Sequence, residues 1–117
     1  MAVFTVKRND THPLQSKLEK QALDGSWGPA FPSPTGVSVV FSARMVGTPD
    51  PPKIQRAAAT IVKADGIESI VQYAPNASAF DTVGEYQCEW EVTYATGTVE
   101  TFPSETYIRL VVIGDIA

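Results

Sequence analysis

The chain has 117 residues but only one cysteine, Cys88, and one histidine, His12. A single cysteine excludes an internal disulfide and every zinc motif built on cysteine pairs. It also favours folding in a reducing compartment. His12 lies beside Asp10 and Thr11 and has no second histidine to join it on a metal, so it reads as a surface-loop residue. Positive charge is scarce as well. Nine Lys and Arg against 13 Asp and Glu leave a net charge of −4, with no basic footprint for nucleic acid. No apolar run approaches the roughly 20 residues that span a bilayer. The opening "MAVFTVKRND" puts its charges after a short apolar stretch, the reverse of a signal peptide. The expectation is a soluble, unprocessed chain forming one domain over 1–117.

Branched residues fill the space that these absences leave. There are 13 Val, 7 Ile and 11 Thr against 4 Leu, a balance that suits pleated sheets better than helices. Nine prolines and eight glycines fall mostly between the apolar runs, where they mark turns.

The periodicity agrees. "AVFTVK" alternates, with Phe4 and Val6 on one face and Thr5 and Lys7 on the other. "VSVVFSARMV" aligns Val37, Val39, Phe41, Ala43 and Met45 on one face. "IQRAAATIVKADG" reads as one strand closed by Asp65-Gly66, with "IESIVQY" as its hairpin partner. "GEYQCEWEVTY" alternates best of all. Tyr86, Cys88, Trp90, Val92 and Tyr94 share the core face, while Glu85, Gln87, Glu89, Glu91 and Thr93 share the other. The turn "ATGT" leads into "VETF", and "TYIRLVVI" is the last strand. In "LQSKLEKQAL", residues 14 to 23, Leu14, Leu18 and Ala22 fit a helix stripe and a strand face equally. The strand-rich surroundings favour a strand. "SWGPAFPSPTG", residues 26 to 36, holds three prolines and is expected to be an irregular loop or crossover. About seven or eight short strands with turns between them predict an all-β, antiparallel β-sandwich.

Tyr86 and Cys88, two apart after Gly84-Glu85, resemble the strand of immunoglobulin domains that enters the core. No second cysteine is present, so Cys88 is expected to act as a small buried hydrophobe. Tyr86 is expected to hydrogen-bond to backbone at a tyrosine corner. A wider resemblance runs from about Phe4 to Val112. "FTVKRNDTHPL", "AATIVKADG" and above all "GEYQCEWEVTYATGTVETFPSETYIRLVV" resemble the phage baseplate upper protein N-terminal domain family. That resemblance implies an immunoglobulin-like virion module with no catalytic motif and no cofactor. It also implies a protein made in the host cytoplasm and assembled into the virion in multiple symmetric copies. Its partners there would be tail, baseplate or capsid subunits. In that family the domain usually heads a longer protein with fibre or receptor-binding parts.

No constellation of acid, base, nucleophile or metal ligands can be assembled from the residue pattern, and the chain is expected not to be an enzyme. The Glu85, Glu89 and Glu91 row reads as the solvated or interfacial side of a sheet rather than a carboxylate pair. The "NAS" at 76–78 reads as a chance match to a glycosylation acceptor. The candidate partner interface is the aromatic and proline-rich loop with Trp27, Phe31, Pro32 and Pro34. Such a loop either packs back on the sandwich or anchors a neighbouring subunit. The leading expectation is a structural virion protein of the tail or baseplate. Capsid decoration or a head–tail junction role is the variant within that class. A carbohydrate- or host-surface-binding module is the separate alternative, with Trp27 and Phe31 as its aromatic platform.

Overall fold

A computed structural model describes residues 3–47, 53–76, 78–103 and 108–114. It is all-β, with no helix among the described residues. The larger sheet contains β1 (Val3–Lys7), β5 (Ser38–Met45), β6 (Ile54–Ala58), β9 (Gly84–Thr93), β10 (Val99–Phe102) and β11 (Ile108–Ile113). Its order is β1-β11-β9-β5-β6, with β10 beside β9. A three-stranded sheet of β2 (Leu14–Lys17), β8 (Ser69–Tyr73) and β7 (Thr60–Ala64) has the order β2-β8-β7. β3 (Glu19–Gln21) and β4 (Trp27–Pro29) form a separate two-stranded hairpin.

Among the described residues there are eleven strands rather than seven or eight: two expected strands each break, and Trp27–Pro29, inside the segment 26–36 expected to be an irregular loop, instead pairs with β3 as β4 because the Ala22–Gly25 turn folds it back as a hairpin. Residues 54–64 do not form one strand. Ala59 N still donates to Val39 O (3.0 Å), and the chain then leaves the larger sheet and pairs with β8 as β7. A register shift between Phe41 and Ala43, with Arg56 at φ 50°, bends β6 just before that switch. Residues 14–23 are extended, as favoured, but they break at Leu18, and Ala22 is exposed rather than part of an apolar stripe. The sandwich is also not wholly antiparallel: β1 runs parallel to β11, from Val3 opposite Arg109 to Lys7 opposite Ile113. Parallel neighbours need a long crossover, and here nearly the whole chain supplies it. Thr106 and Tyr107 of the expected last strand lie outside the described residues.

The predicted core face of β9 is the observed one. Tyr86, Cys88, Trp90 and Val92 are buried, and Tyr94 is half-buried. Phe41 joins the sheets, since its ring lies 4.8 Å from Trp90 and stacks at 4.8 Å on Tyr73 of β8. Phe80 meets Tyr86 edge-on at 6.0 Å. The Tyr86 hydroxyl donates to Thr82 O at 2.8 Å, which is the expected tyrosine-corner bond. Cys88 sits among these rings, and burial pushes its thiol up to about 12. On the outer face Glu85 pairs with Arg109 and Glu91 with Arg56, each at 2.7 Å. That part of the acidic row is therefore an ion-paired sheet surface.

Candidate partner-binding surface

The β3–β4 hairpin is built locally. Gln21 lies opposite Trp27, Lys20 opposite Gly28 and Glu19 opposite Pro29. Gly25 N donates to Ala22 O (3.0 Å) and Ala22 N to Ser26 O (2.8 Å). Leu23 and Asp24 occupy the turn, and Gly25 closes it at φ 90°, a left-handed position that glycine takes without steric cost. Asp24 accepts from both the amide (2.9 Å) and the hydroxyl (2.6 Å) of Ser26, and these bonds hold its carboxyl below the usual range. The outcome is a hydrogen-bonded hairpin that leaves two large apolar side chains in water: Leu23 is fully exposed and Trp27 is 64% exposed.

The base of the hairpin is anchored by main chain and by one buried hydroxyl. Leu18 N donates to Ser69 O (2.8 Å), and Ala30 N donates to Leu18 O (3.0 Å). The hydroxyl of Ser69 donates to Phe31 O at 2.8 Å and accepts from Phe31 N at 3.2 Å. Ser69 is fully buried, so this clip is shielded from water. Lys20 sits 4.9 Å over the Tyr94 ring and 3.9 Å from Glu100. The Tyr94 hydroxyl donates a hydrogen bond to Glu100 Oε1 at 2.6 Å. Burial first, and then that carboxylate, push the Tyr94 hydroxyl above its usual range.

The segment after the hairpin is pinned against the β9–β10 turn. A Cβ on Gly36, at φ 73°, would come 2.6 Å from the Ala95 Cβ. The hairpin, residues 30–37 and the 94–98 turn therefore gather at one end of the sandwich.

The four predicted interface residues part company here. Trp27, Pro32 and Pro34 are exposed, but Phe31 is 1% exposed and belongs to the core. The expectation that Phe31 faces a partner is thus corrected: Ser69 draws its backbone inward, and the ring follows. The same burial removes the two-ring platform that a carbohydrate-binding reading requires. Leu23 was missed. The Asp24-Gly25 turn signal next to it marked a hairpin tip, which is where an apolar residue finds no cover. Asn76 of the "NAS" triplet accepts from the amide (3.0 Å) and hydroxyl (2.8 Å) of Ser78, while Ala77 lies outside the described residues.

This end of the molecule exposes apolar contact area at Leu23 and Trp27. No group of three or more His, Cys, Asp or Glu able to hold a metal occurs among the described residues. No family model matches the chain, and no curated protein matches it.

Proposed function

We propose that the protein is a non-enzymatic structural component of a bacteriophage virion, associated with the tail or baseplate, which acts by docking to other virion proteins. The observation that carries this reading is the anchored hairpin that holds Leu23 and Trp27 in water. Exposed aromatic anchors on rigid supports are what central interface residues look like before a partner covers them. The sequence resemblance to the baseplate upper protein N-terminal domain family supplies the virion setting. The strand order β1-β11-β9-β5-β6 over β2-β8-β7, with the Tyr86 corner bond, supports an immunoglobulin-like reading of the sandwich. Virion symmetry would strengthen each small contact, because every copy is held by several neighbours at high effective concentration. Mass spectrometry of purified particles tests the proposal. The chain is expected at a fixed copy number, and its absence from particles of a phage that encodes it contradicts the reading.

A further inference from the structure

Beyond the pair of Leu18 and Ala30, the β3–β4 hairpin is an arm that belongs to neither of the larger sheets. Residues 19–27 are all exposed, so no side chain there is buried against the body of the sandwich. Their turn and side-chain hydrogen bonds, Ala22 to Ser26, Gly25 to Ala22, Gln21 to Gly25 and Ser26 to Asp24, stay inside the arm. Among the described residues, Lys20 alone makes an ion pair or a ring contact between this arm and the body.

The place where Lys20 lands is fixed independently of it. Tyr94 N donates to Thr98 O (2.8 Å) and Gly97 N to Tyr94 O (2.9 Å), which closes the β9–β10 turn. The Tyr94 hydroxyl is held by Glu100 Oε1 and, at 3.4 Å, by Ala30 O. The ring therefore presents a set face, and the Lys20 ammonium lies over it at a distance where the ring quadrupole attracts a cation. The second partner, Glu100 Oε1, is 3.9 Å from Lys20 Nζ, and the two side chains are 49% and 36% exposed. A pair that long and that wet is weak and is screened by salt. Gly28, opposite Lys20 on β4, adds no second hold, since even a Cβ there would meet nothing within 4 Å.

We infer that Lys20 is a salt-sensitive latch that sets the angle of the arm. Closed, its ammonium bridges the Tyr94 ring and Glu100 and holds the arm against the β9–β10 turn. Open, the arm pivots as a unit at Leu18 and Ala30, while the bonds from Leu18 N to Ser69 O and from Ala30 N to Leu18 O stay made. A few residues at the end of an element are the usual site of such a hinge. Pleat alternation puts Lys20 on the face opposite to Gln21 and its cross-strand partner Trp27. Lys20 is thus a positioning residue, which decides from the covered face where Trp27 and the Leu23 tip are presented. The inference concerns the free protein and does not rest on the virion reading.

Nitrogen-15 relaxation of the intact protein tests this, with β9 as the rigid reference. At low ionic strength the amide order parameters of residues 21–27 are expected near the rigid level of about 0.85. Lys20→Met keeps the stem and removes the charge. It is expected to drop them below about 0.6 while β9 and Tm stay unchanged and the Cα shifts of the arm keep their native values. Lys20→Arg should restore them. Salt at about 1 M, where the screening length is about 3 Å, should lower them part-way in the unaltered protein and no further in Lys20→Met. That titration decides the matter should the variant fail to fold. Order parameters already below about 0.6 at low salt, no change in Lys20→Met, no rescue by Lys20→Arg or no response to salt overturns the inference. So do Cα shifts that move to random-coil values, which would mean an arm that melts rather than pivots.

Discussion

Ser69→Ala is the sharpest probe of how the hairpin end is held. The hydroxyl is fully buried and serves both main-chain groups of Phe31, at 2.8 and 3.2 Å. Its removal leaves a buried N–H and a buried C=O without their partner. Each such group costs about 1–3 kcal/mol, and loss of one small oxygen adds little cavity. The expected destabilisation is roughly 2–4 kcal/mol, a large share of the about 5–15 kcal/mol that holds a domain together. For a chain of this size it corresponds to a fall in Tm of roughly 8–20 °C. Urea denaturation followed by Trp fluorescence gives the free energy directly. Amide exchange at Phe31 and Ala30 should accelerate more than exchange in β9, since the clip lies under the hairpin and not under the central strand. A change below about 0.5 kcal/mol, the usual size for an indifferent surface substitution, would refute the reasoning. It would mean that water satisfies Phe31 and that the hairpin base is not anchored as described.

Other consequences can be checked on the same protein. Trp90→Ala should cost about 3–5 kcal/mol in chemical denaturation, because the ring is fully buried against Phe41. Gly36→Ala should destabilise by more than about 1 kcal/mol, from the left-handed backbone and the 2.6 Å approach to Ala95, and Ala95→Gly in the same chain should recover only the contact part. Native Cys88 should resist a thiol reagent at pH 8 and react fully once unfolded. Its folded value of about 12 lies above the ordinary 9.0, so the folded state holds the proton more tightly. The stability this contributes is complete below pH 9 and is lost as pH rises through about 12. Trp27→Ala should leave Tm nearly unchanged, since the ring is mostly in water, and should weaken only the proposed attachment to a virion partner.

Much of the fold was legible where alternation was strict. β9 shows its core face in the sequence because every second residue from Tyr86 to Val92 is large or apolar, and the intervening ones are Gln or Glu. The split of 54–64 was hidden, since Ala57, Ala58 and Ala59 have small side chains that prefer neither sheet, and the switch depends on the main-chain bond from Ala59 to Val39. The parallel β1–β11 pairing was hidden because strand direction depends on how the ends of the chain meet, not on local pattern. At the candidate site, an aromatic and proline-rich loop was visible, but not which ring would be buried. That is decided by Ser69, 38 residues away from Phe31 in sequence.

The central claim is that this protein works by being docked into a particle through its exposed hairpin. Cryo-electron microscopy of purified virions tests it most directly. The account predicts repeated density that fits the sandwich, with Leu23 and Trp27 covered by a neighbouring subunit. Virions without such density, or with the sandwich present and the hairpin tip left in solvent, would contradict it.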